Sequence, residues 1–238
     1  MIKLGVSGVC GKMGKRIIDL AKTDKDFKLV CAIEHKDHPQ IGSFIGDVRI
    51  EAGLDSLKYC DCLIEFTSPL ATVEHLDYLV RFRKCAIIGT TGLNEGEEKR
   101  VKEAAKYIPI VFSPNMSVGV NLIFKLVRIA SKILKNYQVY IEEAHHIHKK
   151  DAPSGTAKKI AQIIREEGLP VDSKDIRSIR EDEIVGDHRV IFDSELDKIE
   201  IFHSAKTRDI FAQGALLAAK WVVDRKPGLY SMDDVIQI

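Results

Sequence analysis

The segment from Glu142 to Ala157 concentrates side chains that can do chemistry: three histidines and two lysines, followed by a Pro-Ser-Gly-Thr turn. Histidine titrates near neutral pH and suits proton transfer, whereas lysine offers a fixed cation to a carboxylate. A helical pattern runs from Ala157 to Glu167, and Pro153 before it favours a turn or a helix start, where free backbone amides would hold an anion. The segment therefore predicts a site for a small, carboxylate-bearing substrate that needs a proton.

Roles within this segment depend on the strand before it. Residues 139–147 have the composition of a strand, and side chains alternate between faces if extension continues through Lys149. His145 and Lys149 then share one face, and His146 and His148 share the other. We expect His145 to donate the proton and Lys149 to assist it or to bind a carboxylate.

Two other interpretations of the segment stay open. It could be a solvated basic loop whose histidines only cap structure. His146 and His148 could instead bind zinc, but no Cys, Asp or Glu completes a usual ligand set at the usual spacing, and two neighbouring lysines would repel a cation. We expect no metal.

A glycine motif opens the chain between a strand at residues 2–7 and a helical pattern at 15–22. Strand, glycine turn and helix form the start of a dinucleotide-binding unit, in which the pyrophosphate rests on the helix N-terminus. The spacing is G-x-x-G-x-x-G rather than the commoner G-x-G-x-x-G, and a tight turn without a ligand is the alternative. The motif residues are Gly8, Val9, Cys10, Gly11, Lys12, Met13 and Gly14.

The residues that follow the second strand (28–33) indicate which dinucleotide would bind. Glu34 follows that strand at the distance where an acidic residue meets the adenine ribose hydroxyls, which favours NADH. His35 and Lys36 come next and could serve a 2′-phosphate, so NADPH stays open.

Strands alternate with helices up to residue 116, which predicts an α/β fold with a Rossmann-type, doubly wound parallel sheet. Ligands of such sheets bind at the carboxyl ends of the strands. Three turns fall there and are expected to contact the cofactor. They are Thr67-Ser68-Pro69, Gly89-Thr90-Thr91 and Ser113-Pro114-Asn115-Met116.

The pattern changes after residue 116. A long helix over 117–134 is followed by longer strands with one helix between the first two, which predicts a second α+β domain with an open mixed sheet. A final helix over 209–223 ends at Lys226-Pro227-Gly228, a stop signal, and Ser231 begins a capping pattern for a last short turn.

Composition limits the partners. The 238 residues include 36 Lys and Arg against 35 Asp and Glu, which predicts neither a nucleic-acid nor an acidic-membrane partner. No apolar run approaches membrane-spanning length, and the start enters a strand pattern without a signal peptide. Five cysteines lie mostly in apolar runs, which is typical of a reduced, cytoplasmic protein.

These motifs together resemble the dihydrodipicolinate reductase family of lysine and diaminopimelate biosynthesis, from end to end of the chain. The most specific match is the segment from Glu143 to Ala157, and further matches include Gly8–Gly14, 65–69, 89–92, 113–121 and 203–215. The resemblance implies an oxidoreductase that reduces a cyclic dicarboxylate with NADH or NADPH. It also implies a homotetramer, with a dinucleotide-binding domain at 1–116 plus 208–238 and a substrate-binding and oligomerisation domain at 117–207.

The resemblance also implies residue roles. His145 resembles the proton donor of the family and Lys149 its partner. The groups that hold the substrate carboxylates correspond to His146, Ser154, Gly155 and Thr156. The cofactor contacts correspond to Gly8, Gly11, Met13, Gly14, Glu34, Gly89, Thr90, Thr91, Ser113, Pro114, Asn115 and Met116. Two positions depart from the family pattern, since His35 stands where an arginine is frequent and Met116 where an aromatic residue is common.

Two rival functions belong to other groups of proteins. A Rossmann oxidoreductase of the aspartate-dehydrogenase kind would lack the Ser154-Gly155-Thr156 turn beside paired histidines. An NAD(H)-sensing regulator would need a surface for nucleic acid or a partner, and the chain has neither a spare helix-turn-helix segment nor a basic excess.

Overall fold

The computed structural model describes residues 1–237 and divides them into two compact units. The first unit comprises 1–117 and 209–237, and the second comprises 118–208. Ile238, the last residue of the predicted dinucleotide-binding domain, lies outside the described residues.

An eight-stranded sheet is the centre of the first unit. Its strands are β1 (Ile2–Ser7), β2 (Phe27–Ile33), β3 (Phe44–Ile45), β4 (Val48–Glu51), β5 (Cys62–Glu65), β6 (Cys85–Ile88), β7 (Pro109–Phe112) and β12 (Gly228–Tyr230). Their order is β12-β7-β6-β5-β1-β2-β4-β3, and every pair is parallel except β3 with β4. The helices are α1 (Lys12–Thr23), α2 (Pro69–Phe82), α3 (Glu95–Ala104), α6 (Asp209–Val222) and α7 (Met232–Ile236).

Both faces of this sheet are covered, as a doubly wound fold requires. Successive residues of β5 belong to two different cores, because side chains alternate along a strand. Ile64 packs into the core that also holds α1 and α6, and Leu63 packs into the one that holds α2 and α3. The predicted doubly wound parallel sheet is confirmed.

Two parts of this unit had no clear pattern in the sequence. Residues 37–58 contain the short strands β3 and β4 and the start of a 3₁₀ helix over Asp55–Tyr59. Strand β12 follows the predicted stop signal and pairs in parallel with β7. Such short strands are stabilised by the neighbour they pair with, so their own residues carry little periodicity.

The second unit packs two helices on a four-stranded sheet. Its elements are α4 (Val118–Ile133), β8 (Gln138–His145), α5 (Gly155–Glu166), β9 (Ile176–Arg180), β10 (Gly186–Asp193) and β11 (Lys198–Ala205). The order β11-β10-β8-β9 has two antiparallel pairs and one parallel pair, β8 with β9, so the predicted mixed sheet is confirmed. Ile141, Val190 and Phe192 form its core with residues of both helices.

Candidate active site

The glycine loop of the first unit is shaped by close backbone contacts. Gly8 has φ +74°, and a Cβ there would lie 2.9 Å from the carbonyl oxygen of Phe66. A Cβ on Gly14 would lie 2.1 Å from the carbonyl oxygen of Gly8, so only glycine lets α1 approach β1 this closely. These are the roles that the first and third glycines have in a dinucleotide fingerprint.

The N-terminus of α1 follows this loop. Its N-cap is Gly11, which has no side-chain oxygen to occupy the amides of the first turn. The amides of a helix N-terminus attract phosphate when no cap satisfies them. The loop and the helix start therefore fit the pyrophosphate of a dinucleotide.

A cleft of about 480 Å³ lies beside this loop, and Ser7, Gly8 and Glu34 contribute to its wall. The cleft opens where β1 lies between β2 and β5, the point at which the strand order reverses and doubly wound sheets bind their ligands. The Glu34 carboxylate accepts a hydrogen bond from the Cys10 amide at 2.9 Å and another from the His35 amide at 2.9 Å. Carboxylate oxygens have further lone pairs, so Glu34 can still accept from a ribose hydroxyl.

The turns after β5 and β6 are joined by hydrogen bonds. The Thr67 amide donates to the Thr90 hydroxyl at 3.1 Å. A Cβ on Gly89 would lie 2.4 Å from the ring of Phe66, so this glycine makes room for the aromatic side chain. The turn after β7 is ordered by the Ser113 hydroxyl, which donates to the Asn115 carbonyl at 2.8 Å.

The predicted cofactor residues differ widely in exposure. Gly11, Lys12, Thr91 and Pro114 are exposed; Gly8, Cys10, Met13, Glu34 and Asn115 are half-buried; Val9, Gly14, Gly89, Thr90, Ser113 and Met116 are buried. Met116 is 1% exposed and packs into the core with α6. Its side chain belongs to that core, and its carbonyl oxygen lies against Gly214, where a Cβ would be 1.7 Å away.

In the second unit, one face of the sheet changes from apolar to polar along β8. Val139, Ile141, Glu143 and His145 all face inward and are buried. The register places Glu143 opposite His188 on β10, and His188 opposite His203 on β11. A polar row therefore crosses three strands directly beside the apolar core.

Glu143 is the centre of this row, with a side chain that is 0% exposed. Its two oxygens accept hydrogen bonds from both terminal nitrogens of Arg180, at 2.9 and 3.1 Å, and from the Ser154 amide at 3.3 Å. Nδ1 of His145 also contacts the Glu143 carboxylate. Burial alone would raise the pKa of Glu143, but hydrogen bonds from Arg180, Ser178 and His145 outweigh burial and hold that pKa below its ordinary value.

The contact with Glu143 orients the His145 ring. Its Nδ1 faces the carboxylate, and its Nε2 lies where a Cβ on Gly186 would be 3.1 Å away, so glycine at that position leaves space for the ring. Burial lowers the pKa of His145, and the positive charges of Lys149 and Arg180 act in the same direction, while Glu143 opposes them. His145 therefore binds a proton less tightly than an ordinary histidine.

His188 and Ser154 connect the polar row to α5. Ser154 is the N-cap of this helix, and its hydroxyl accepts from the Ala157 amide at 3.2 Å. Nε2 of His188 lies 3.2 Å from the same hydroxyl, and the two imidazoles of His145 and His188 meet edge to face at 5.2 Å. Burial lowers the pKa of His188 to about 3, so this ring is a neutral hydrogen-bonding group.

The expectation that the strand stays extended through Lys149 is wrong. Strand β8 ends at His145, and the Lys149 amide donates to the His146 carbonyl at 3.1 Å in a turn. The amides of His146 and Ile147 donate to carbonyls of the 181–185 loop, which draws the chain out of the sheet. Face alternation therefore does not relate His145 to Lys149.

Other predicted residues surround this turn. Lys149 forms an ion pair with Asp151 at 2.7 Å, and its charge acts on His145. His146 is half-buried, and within residues 1–237 its Nδ1 has no hydrogen-bond partner. His148 is largely exposed beside Glu183, at 3.8 Å. No cluster of three or more potential metal-ligating side chains occurs among the described residues.

Several residues of this cluster were not identified from the sequence. Arg180, Gly186 and His188 lie 35 to 43 positions after His145, on strands that the register brings beside it. Polar residues at inward positions of otherwise apolar strands were the available indication. Which positions of a strand face inward can be seen only when the register of the strand is known.

Within residues 1–237, every helix is too short or too polar to cross a membrane.

Comparisons with known proteins cover the whole chain. The family described as "Dihydrodipicolinate reductase, N-terminus" matches residues 2–116, and "Dihydrodipicolinate reductase, C-terminus" matches 119–236. The 4-hydroxy-tetrahydrodipicolinate reductase of Aquifex aeolicus is 41% identical over 99% of this chain and 98% of its own. That of Syntrophus aciditrophicus is 40% identical over the same shares. A solved dipicolinate-bound dihydrodipicolinate reductase from Paenisporosarcina sp. TG-14 has the same fold, with TM-score 0.83 at 24% identity over 98% and 99% of the two chains.

Proposed function

The chain belongs to the dihydrodipicolinate reductase family, as its motifs predicted, and we propose that it reduces 4-hydroxy-tetrahydrodipicolinate to tetrahydrodipicolinate with NADH or NADPH. This reaction belongs to lysine and diaminopimelate biosynthesis. The observation that carries the proposal is the buried His145 ring, held by Glu143 beside the N-terminus of α5. That arrangement joins a proton donor to an anion site, which the reduction of a dicarboxylate needs.

The first unit is the proposed cofactor domain. The 8–14 loop and the start of α1 fit the pyrophosphate, Glu34 fits the adenine ribose, and the turns after β5, β6 and β7 face the same end of the sheet. When bound, NAD(P)H supplies the hydride. The chain positions the bound cofactor, and other residues of the chain contribute the proton.

The second unit is the proposed substrate domain. The amides of Gly155 and Thr156 begin α5 and would hold one carboxylate, as the helix dipole favours, whereas the Ser154 amide donates to Glu143 at 3.3 Å. Lys149 and His146 would contact the substrate from the preceding turn. His145 would deliver its proton from Nε2, because Glu143 occupies Nδ1 and fixes the ring.

Cofactor preference follows from the rim of the cleft. Glu34 would accept from the ribose hydroxyls of NADH and repel the 2′-phosphate of NADPH. His35 and Lys36 also line this cleft and carry or can gain positive charge, so they would soften that repulsion. We propose that the protein uses both cofactors, with NADH preferred.

Assembly and compartment extend the proposal. A homotetramer assembled through the second unit is proposed on the family resemblance. The outward face of its sheet exposes Tyr140 and Phe202, aromatic side chains that a subunit contact would bury. All five cysteines are unpaired, which suits a reducing cytoplasm.

The decisive experiment is a reductase assay with freshly prepared 4-hydroxy-tetrahydrodipicolinate. We expect NADH and NADPH to be oxidised only when this substrate is present, and His145→Gln to lose turnover while binding NADH normally. His148→Gln is the matched control, since His148 is a largely exposed neighbour. Absence of substrate-dependent oxidation, or reduction of NAD⁺ by L-aspartate instead, would contradict the proposal.

A further inference from the structure

The surroundings of His145 are electrically balanced. The titratable or charged side chains that face it come from its own strand, from β9, from β10 and from the following turn. They are Glu143, Arg180, His188, Lys149 and Asp151, with His203 on β11 behind His188. The two cations are each paired with a carboxylate, and burial lowers the pKa values of His188 and His203. A buried imidazole in such a balanced setting prefers its uncharged form.

A bound dicarboxylate would change this balance. We propose that His145 takes up a proton at Nε2 when a dicarboxylate binds at the N-terminus of α5, so that the substrate itself loads the proton its reduction consumes. The inference rests on the proposed function. A dianion adds negative charge that no existing partner neutralises, and a nearby opposite charge favours the protonated form of a histidine and so raises its pKa.

Glu143 and Arg180 determine which atom receives the proton. Both Glu143 oxygens are held by Arg180 at 2.9 and 3.1 Å, so the carboxylate stays ionised and does not take the proton itself. The same carboxylate occupies Nδ1 of His145. Nε2 is therefore the only ring atom left to be protonated, and Glu143 and Arg180 act as positioning residues.

The neighbouring histidine is a poor competitor for this proton. His188 is 5% exposed, and its Nε2 already lies 3.2 Å from the Ser154 hydroxyl. Its pKa of about 3 is too far from neutrality for the same shift to charge it. His146, whose Nδ1 has no partner within residues 1–237, is the rival that the experiment must separate.

The proton balance closes over one turnover. One proton from solvent bonds to Nε2 as the dicarboxylate binds. The N–H bond breaks when His145 gives this proton up in the reduction, and the imidazole returns to its neutral form. In the overall conversion of 4-hydroxy-tetrahydrodipicolinate to tetrahydrodipicolinate, NADH supplies one hydride, one proton is consumed and the hydroxyl leaves as water.

Proton uptake can be measured directly by titrating the NADH-saturated protein with dipicolinate in a calorimeter, near neutral pH, in buffers of different ionisation enthalpy. The slope of heat against ionisation enthalpy gives the protons bound. We expect roughly one-half to one proton for the unmodified protein. His145→Gln should bring the slope close to zero, and His148→Gln should leave it unchanged.

The positioning role has its own test. Glu143→Gln should reduce the uptake and change the ¹⁵N chemical shifts of His145, because Nδ1 loses its ionised partner, and Glu143→Asp should restore part of both. A protein that is merely less well folded would bind less dipicolinate without changing the protons taken up per molecule bound.

The outcomes separate the two proposals. A zero slope for the unmodified protein that still binds dipicolinate overturns proton loading and leaves the reductase function intact. Undiminished uptake in His145→Gln, with loss in His146→Gln, overturns the assignment to His145. Failure to bind dipicolinate at all removes the dicarboxylate site, and with it both proposals.

Discussion

The glycine loop of the first unit and the histidine cluster of the second are built in different ways. The loop is a site made of backbone: Gly8 and Gly14 are needed because carbonyl oxygens occupy the space of a Cβ. The cluster is a site made of side chains, in which the buried Glu143 and His145 are paired with each other and Glu143 is paired with the half-buried Arg180. A backbone site lies within one short segment, whereas a side-chain site can draw on several strands at once.

The two sites also differ in what they cost the fold. In the glycine loop, the backbone can approach closely because side chains are absent. The cost is lost side-chain packing and the larger conformational entropy that glycine loses on folding. The cluster buries a carboxylate, which is tolerated only because Arg180 and backbone or side-chain donors surround it. Substitutions should therefore damage the loop through steric clash and the cluster through lost charge and proton chemistry.

The largest effect should come from His145→Gln. Losing a general acid lowers turnover by ~10²–10⁴-fold, and glutamine keeps the polar character of the site. NADH affinity should not change, because the proposed cofactor site belongs to the first unit. Steady-state kinetics would check the turnover, and a fluorescence titration with NADH would check the affinity. Turnover close to that of the unmodified protein would show that another group, His146 first, supplies the proton.

The next test of the comparison between the two sites is a matched pair of glycine substitutions. Gly14→Ala places a Cβ 2.1 Å from the Gly8 carbonyl oxygen, and such overpacking costs ~1–3 kcal/mol or more. We expect weaker NADH binding and a lower melting temperature. Gly155→Ala is the control, since among the described residues no heavy atom lies within 4 Å of its Cβ position. Equal damage from both substitutions would contradict the distinction between backbone and side-chain sites.

Glu34→Ala should weaken the binding of NADH by roughly 1–3 kcal/mol, because hydrogen bonds to the ribose are lost. The binding of NADPH should weaken less, since repulsion of its 2′-phosphate is relieved at the same time. Glu74→Ala removes another carboxylate from the same cleft and serves as the control for charge alone. Identical losses for the two cofactors in binding titrations would refute the assignment of Glu34 to the ribose.

Near neutral pH, the smallest effect should be the pH dependence of stability due to His188, because the loss grows only as the pH falls below the ordinary pKa of 6.5. Its folded pKa of about 3 lies below the ordinary value of 6.5, so the unfolded chain binds the proton first as the pH falls. Stability present above about pH 6.5 is then lost toward pH 3, by at most about 1.4 kcal/mol per pH unit. Urea unfolding at several pH values should show a shallower slope for His188→Gln. Parallel slopes would mean that burial of this histidine is not linked to folding.

Part of the candidate site could be predicted from residues that are close in sequence. The glycine spacing and the strand and helix on either side of it predicted the loop, because the contact that requires Gly14, with the carbonyl oxygen of Gly8, is local. The helix after the Pro-Ser-Gly-Thr turn was predicted for the same reason, and the structure shows that Ser154 caps it by bonding to the turn that follows. His145 was selected for its neighbours, although the face argument that related it to Lys149 was wrong.

Other parts depended on pairing between distant segments. Strand β12 exists through its pairing with β7, and nothing in its three residues requires a strand. The end of β8 at His145 is set by the 181–185 loop, whose carbonyls bind the following amides. Strand propensity continued past that residue, and the tertiary contacts overrode it.

By itself, the sequence determined the α/β order of the elements, the glycine loop and the set of titratable residues near 145, because these follow from periodicity and short-range chemistry. Only the tertiary structure decided the chemistry of that set. The register of β8 with β9 and β10 placed Arg180 and His188 around Glu143 and His145. Burial and charge pairing, which depend on that register, are what separate an ionised, anchored carboxylate from a solvated one.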